Sequence, residues 1–342
     1  MRAMILRELD PHRTRPHPLE AAEWPDPEPG AGEVRIRVRT CGVCHTELDE
    51  IEGRLPPPRL PMILGHQAVG TVDALGAGVA DLSLGDRVGV AWIFSACGEC
   101  ESCRSGTENL CPSFRATGRD APGGYAERMI APAAFVHPIP AAFSDAQAAP
   151  LLCAGAIGYR SLRLTGLEDG QVLGLMGFGA SGHLVLQLAR HSFPHSPVFV
   201  FARSDDQRRL ARELGAAWAG GPTDRPPAEL HAIIDTTPAW APILAALEVL
   251  KPGGRLVINA IRKESADQES LLRLDYARHL WMEKEIKSVA NVTRADVREF
   301  LSAAAEIPIR PVVEEFPLED ANAAVAQLRG RGGSGAKVLR MG

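Results

Sequence analysis

Several things are missing from this 342-residue chain, and each absence removes a class of function. No stretch of it approaches the uninterrupted apolar length needed to cross a bilayer. Its first residues, Met1-Arg2-Ala3-Met4-Ile5-Leu6-Arg7-Glu8, meet charge too early for an export signal. They read as the first edge of a sheet in a cytoplasmic protein with no membrane partner. Positive charge is not in excess: 37 Lys and Arg stand against 42 Asp and Glu, a net charge of -5, so nucleic acid is not an expected partner. Internal repeats and low-complexity tracts are also lacking, and Gly330 to Gly335 is only a short glycine-rich turn.

What is present is ordinary in bulk, with 45% apolar and 23% charged residues. The length exceeds what one core usually serves, so two domains are expected. From Met1 to about Phe143 the chain shows short alternating or β-branched runs, such as Val34-Arg35-Ile36-Arg37-Val38 and Val69-Gly70-Thr71-Val72, broken by Pro and Gly. That is an all-β pattern. The texture changes at the apolar, helical stretch Leu151 to Leu164, after which strand and helix alternate. Strands are expected at 172–176, 198–201, 216–219, 232–235, 256–259 and 286–288. Helices are expected at 183–191, 205–214, 240–250 and 270–280, which together make a six-stranded parallel sheet. Thr293 with Asp296 reads as a capping pair that opens a later helix.

Seven cysteines in a chain without an export signal are expected to be reduced, and their spacing decides what they do. Cys97, Cys100, Cys103 and Cys111 form C-x2-C-x2-C-x7-C within one short polar loop. Four thiolates that close can surround a tetrahedral Zn2+ without help from the rest of the fold and leave no open position, which defines a structural site. A second set is dispersed. It comprises the run Cys41-Gly42-Val43-Cys44-His45-Thr46-Glu47, the triplet Gly65-His66-Gln67, and Cys153. One cysteine of the run with His66 and Cys153 gives two sulfurs and a nitrogen with room for one more ligand, the usual composition of a catalytic zinc site.

The other chemical signal is Gly177-Phe178-Gly179-Ala180-Ser181-Gly182, which follows a strand, opens a helix and precedes a second strand. Gly177 permits the tight turn, Gly179 the approach of backbone to a pyrophosphate, and Gly182 the packing of helix on strand.

Taken together, Gly42-Val43-Cys44-His45-Thr46, Gly65-His66, the four-cysteine loop, Cys153-Ala154-Gly155 and the glycine turn resemble, in their order and over essentially the whole length, the zinc-dependent alcohol dehydrogenases of the medium-chain dehydrogenase/reductase superfamily. The resemblance implies an α/β protein. A β-rich GroES-like catalytic domain spans 1–152 and 293–342 with a zinc lobe at about 93–115, and a Rossmann domain spans 153–292. It implies two zinc ions, a nicotinamide coenzyme, a small alcohol or aldehyde substrate and a homodimer or homotetramer. The catalytic ligands then fall on Cys44, His66 and Cys153, with Cys44 chosen because His-Thr follows it. Thr46 is the proton-handling hydroxyl, Glu47 the acceptor for the other ring nitrogen of His66, and His45 a contact to cofactor phosphate. Trp92, Ile51 and Leu110 are candidate pocket walls.

The chain departs from the common family pattern at three places. Gln67 stands where many relatives carry Glu after the histidine ligand. Asp49 stands where a histidine often ends the proton relay, so a relay through Asp49 is a hypothesis. At the end of the second Rossmann strand, Ala202-Arg203-Ser204 replaces the acidic residue that binds the ribose 2′-hydroxyl of NAD. Arg203, Ser204 and Arg208 favour NADP(H) over NAD(H). The alternatives are a zinc-free quinone or enoyl reductase of the same superfamily and a non-enzymatic zinc-stapled binding protein. The cysteine pattern argues against the first and the acidic charge against the second.

Overall fold

The computed structural model describes residues 1–307, 309–329 and 335–342; the turn expected at Gly330 to Gly335 lies outside them but for Gly335. The chain forms two compact units. One comprises Met1–Cys153, Val292–Ala305 and Arg310–Gly342; the other comprises Ala154–Asn291 and Glu306–Ile309.

The first unit begins with β1 (Arg2–Leu6), β2 (Leu19–Glu23), β3 (Glu33–Val43), β4 (Met62–Ile63), β5 (Ala68–Leu75), β6 (Arg87–Val90), β7 (Ile93–Ser95), β8 (Arg115–Ala116), β9 (Arg128–Pro132) and β10 (Val136–Pro138). β3 alternates as its β-branched residues require, with Val34, Ile36 and Val38 pointing into the core. β1 is not an edge as the sequence had implied. It lies between β2 and β4, because both faces of its Ala-Met-Ile-Leu run are buried. Helices α1 (His45–Ile51), α2 (Glu101–Arg104) and α3 (Asp145–Pro150) punctuate the strands.

The second unit alternates α4 (Ala156–Thr165), β11 (Leu173–Met176), α5 (Ala180–Ser192), β12 (Val198–Phe201), α6 (Asp205–Glu213), β13 (Trp218–Gly220), β14 (Leu230–Asp235), α7 (Ala241–Val249), β15 (Leu250–Ile258), α8 (Tyr276–His279) and β16 (Glu285–Ser288). The strands make one parallel sheet in the order β13-β12-β11-β14-β15-β16, the doubly wound topology. The helix expected over 270–280 is broken. A 3-10 turn over Gln268–Arg273 gives way at Leu274 and Asp275, where the Asp275 side chain accepts from the Arg278 N–H and starts the short α8. A local cap there competes with helix continuity.

The chain then runs through α9 (Arg294–Glu306), β17 (Val313–Pro317), α10 (Ala321–Arg329) and β18 (Ala336–Arg340). Thr293 and Asp296 do form the reciprocal cap at the start of α9, at 2.9 and 3.1 Å. β18 pairs antiparallel with β3, completing a seven-stranded sheet that orders β10-β6-β5-β3-β18-β17 with β9 on β3. Among the described residues, no helix is long and apolar enough to cross a membrane.

One buried group in this sheet carries a pH dependence. His137 on β10 is 5% exposed and its Nε2 has no partner; burial, with Arg298 and Arg294 nearby, holds it down to about 4. It stays neutral in the folded protein while the unfolded chain takes up a proton near 6.5, so stability is lost as pH falls from 6.5 towards about 4. The loss integrates to about 3 kcal/mol. His137→Leu is therefore expected to flatten the acid limb of a urea-denaturation series over that window; an unaltered slope would refute the assignment.

Candidate metal centre and cofactor turn

All three dispersed ligands lie in the first unit. Cys44 follows β3 directly and serves as the N-cap of α1, its sulfur accepting the Thr46 N–H at 3.4 Å. Glu47, three residues on, returns the favour through Oε2, which accepts the Cys44 N–H at 2.8 Å, a capping box built on a cysteine. The other oxygen of the same carboxylate, Oε1, lies 2.6 Å from Nδ1 of His66. That contact leaves Nε2 facing Cys44 Sγ at 3.6 Å. His66 is delivered by Gly65, whose φ of +95° suits glycine and whose Cβ would meet the Tyr125 ring at 2.4 Å. Cys153 comes from a π-turn, Leu151–Gly155, at the entrance to α4.

The ligand atoms of Cys44, His66 and Cys153 all lie within 4.8 Å of one another. Burial alone would lower His66, yet the charges of Glu47 and Cys44 push it well up. The Cys44 thiol is raised by its hydrogen bond with Cys153, by burial and by Glu47. Two sulfurs and an imidazole nitrogen are donors of the kind that fit zinc. Cys41 is fully buried with no part in the set.

Cys97, Cys100, Cys103 and Cys111 also gather within 4.8 Å, and no cysteine is in a disulfide. Backbone N–H groups point at the sulfurs, from Gly98 to Cys103 at 3.3 Å, Cys100 to Cys97 at 3.4 Å and Ser113 to Cys111 at 3.3 Å. The N–H groups of Glu99 and Cys100 pull Cys97 down to about 6, while burial and the neighbouring thiols push Cys103 up to about 12. Four crowded sulfurs, with Cys97 favoured as the thiolate, are complementary to a cation.

In the second unit the glycine turn has the shape a dinucleotide requires. Gly177 has φ of +88°, and a Cβ there would meet Thr236 Oγ1 at 2.7 Å. A Cβ on Gly179 would meet nothing within 4 Å, so it would stand in the open space before the uncapped start of α5, where a phosphate is favoured. Gly182 would meet the Gly177 carbonyl at 2.9 Å. Phe178 is buried while Ala180 and Ser181 form the first turn of α5. At the end of β12, Ala202 is buried and Arg203 exposed; Ser204 caps α6 through Gln207 N at 3.2 Å. Arg208 is not a solvated face residue: it donates to the carbonyls of Ala202 and Arg203 at 2.6 and 2.9 Å.

Residues 30–141 match the alcohol dehydrogenase GroES-like domain. The chain is 44% identical to a probable alcohol dehydrogenase, AdhA, of Mycobacterium tuberculosis, over 94% of this chain and 92% of that protein. The family is settled by that coverage. The chain belongs to the zinc-dependent alcohol dehydrogenases of the medium-chain superfamily. Its structure resembles that of a cinnamyl alcohol dehydrogenase from Sorghum bicolor (TM-score 0.84, 28% identity, 99% of this chain and 97% of that one). It also resembles a cobalt- and zinc-bound thermostable alcohol dehydrogenase from Pyrobaculum aerophilum (TM-score 0.86, 25% identity, 99% of each chain). As a member of this family the protein is an NAD(P)-dependent alcohol dehydrogenase.

Around the family's ligand set, the structure corrects some expectations and adds others. Ile51 is not a pocket wall: it is 0% exposed in the core of the first unit. Leu110 is 55% exposed on the cysteine loop. Trp92 does stand beside the ligands, its ring 6.4 Å from His66 and 5.7 Å from Phe114, a neighbour that sequence reasoning missed. His45 is exposed. Asp49 is buried and paired with Arg54, Nε to Oδ1 at 2.6 Å, while Glu52 gathers Arg13, Arg54 and Arg329. Glu50 was also missed. It is fully buried, both oxygens lack partners, and burial and the Glu47 charge push it well up. Its signal was its position one helical turn after Glu47.

Glu47→Gln keeps the shape but supplies only one acceptor oxygen where two are used. It is expected to weaken metal retention by roughly 10- to 100-fold, measured by competition with a chromogenic chelator. Retention equal to that of the parent would show that the carboxylate does not orient His66.

Proposed function

We propose that this alcohol dehydrogenase holds one zinc at Cys44, His66 and Cys153 and a second at Cys97, Cys100, Cys103 and Cys111, and that it works with NADP(H) in preference to NAD(H). The reaction class follows the family: an alcohol is interconverted with an aldehyde or ketone, with a nicotinamide coenzyme as hydride partner. The observation that carries the site assignment is the convergence of two sulfurs and an imidazole nitrogen oriented by Glu47, a set with one position left for a substrate oxygen. Cys44, His66 and Cys153 would hold the zinc ion, which would supply a Lewis acid toward an alcohol or carbonyl oxygen, and a bound nicotinamide would supply the hydride chemistry.

The chain's own residues do the rest. Thr46, with its N–H fixed on Cys44 Sγ in the first turn of α1, is the hydroxyl we assign to the substrate proton. Asp49 serves as the anchor of Arg54 and not as a relay, since protonating it would strip that guanidinium of a counter-charge. Trp92 and Phe114 supply apolar wall near the ligands. Thr46→Ala is expected to lower kcat by roughly a hundredfold or more, while Asp49→Asn leaves the pH dependence of kcat/KM in place. A pH profile displaced by Asp49→Asn would restore the relay.

The coenzyme preference rests on Ala202, Arg203, Ser204 and the turn that Arg208 shapes. No carboxylate lies at Ala202 to repel a 2′-phosphate, and Arg203 is exposed to meet one. A panel of alcohols and aldehydes run with both coenzymes, on protein assayed for zinc, tests the whole reading. We expect two zinc per chain and a higher kcat/KM with NADP, and Ala202→Asp should move the preference towards NAD. A higher kcat/KM with NAD would overturn the preference. A zinc-free active protein would favour the quinone or enoyl reductase alternative.

We assign homo-oligomerisation to the outer edge of the parallel sheet at Ile286 to Ala290, on and just after β16. The strand is exposed along its length, and Trp281, Met282 and Ile286 are about half exposed on or before it. An open edge flanked by apolar side chains is a template for a second copy.

A further inference from the structure

We propose that Lys263 is a positioning residue for the nicotinamide half of the coenzyme, acting through the loops that follow β14 and β15. The inference rests on the coenzyme-binding reading of the second unit given above. In a doubly wound sheet the dinucleotide straddles the carboxyl ends of the strands where their order reverses, here between β11 and β14. The adenosine end belongs to the β12 side, where Ala202, Arg203 and Ser204 lie. The other half therefore rests over the carboxyl ends of β14 and β15, which the register places level with Met176 at Asp235 and Ile258.

The backbone at that place is held by one buried cation. The Lys263 side chain is 7% exposed, and its ammonium group pairs with Asp235, which is fully buried. Nζ also donates to the carbonyls of Thr237 at 2.8 Å and Ala239 at 3.0 Å, so all three of its protons have acceptors. The second oxygen of Asp235 accepts from Thr237 Oγ1 at 2.8 Å. Further bonds stitch the two loops together: Asn259 N to Asp235 O at 2.8 Å, Glu264 N to Pro238 O at 2.7 Å, and Asp267, whose carboxylate takes the N–H groups of Trp240 and Ala241 at 2.8 to 3.0 Å. The stitched loop borders the glycine turn, because Thr236 Oγ1 donates to Met176 O at 3.1 Å and lies 2.7 Å from where a Gly177 Cβ would stand.

A buried ion pair is a poor source of net stability, because desolvation offsets the attraction, whereas its directional contacts fix a unique geometry. Here it fixes two loops at the one end of the sheet where a ligand is bound. Lys263 does not need to touch the coenzyme; it sets the carbonyls and N–H groups that do.

The test uses the paired variant Asp235→Asn/Lys263→Gln, which leaves no stranded charge, alongside Lys263→Arg. Dissociation constants are measured by fluorescence and calorimetric titration for NADPH and NADH, and for ADP-ribose and its 2′-phosphate, which lack nicotinamide. We expect the paired variant to bind the reduced coenzymes roughly tenfold more weakly, the equivalent of about one well-made hydrogen bond, with the ADP-ribose compounds unaffected. Lys263→Arg should recover part of the loss. Equal weakening of both ligand classes, or no weakening of either, would overturn the proposal, the first by reducing the pair to general support of the fold. A parent protein that binds neither reduced coenzyme would instead overturn the coenzyme reading beneath it.

Discussion

One carboxylate organises the first unit. Glu47 is fully buried, a condition that costs several kcal/mol for an ion without partners, and here both of its oxygens are committed. Oε2 closes the cap of α1 on Cys44 while Oε1 stands against His66. Two of the proposed metal ligands are therefore positioned by the same group, one through its backbone and the other through its ring. The third, Cys153, comes from a π-turn elsewhere in sequence, and a divalent cation held by three such donors would answer the charge of Glu47 as well as that of the sulfurs.

Charges also hold the far ends of these elements. Glu52, just past α1, takes three arginines from the N-terminal loop, the loop after α1 and α10, and so pins the helix that carries Thr46. In the second unit Lys263 and Asp235 do the same for the loops above the parallel sheet. In both places the apolar strands supply the stability, and buried ions specify where polar backbone and side chains stand. The division follows from the directionality of hydrogen bonds, which hydrophobic contact lacks.

Much of this was legible in the sequence because the signals were local. The four-cysteine loop, the glycine turn with its flanking strands, and the Thr293–Asp296 cap each need only neighbours a few residues away. What failed was longer-ranged or depended on competition. Whether β1 is an edge or an interior strand is decided by β4, more than fifty residues on. Ile51 has the character of a pocket wall and of a core residue alike, and its place in the apolar cluster of the first unit chose the core. The expected helix over 270–280 had good apolar periodicity but lost to a cap made by Asp275. Glu50 was passed over because a glutamate on a short helix ordinarily faces water.

Glu50 also bears on Gln67, the residue that follows His66. Glu47 and Glu50 already place two buried acids near His66, and Glu50 is held protonated-side by burial and by its neighbour's charge. A third carboxylate next in sequence to His66 would add to that repulsion in a region whose nearby cation, Arg119, is itself engaged with Asp120. The neutral amide avoids this. Gln67 is 3% exposed, and its Oε1 lies where a Cβ on Gly42 would come within 2.5 Å, so the side chain is packed against β3 and not free to swing. Gly42, with no side chain of its own, leaves the space that the Gln67 amide fills, and the amide has become part of the core.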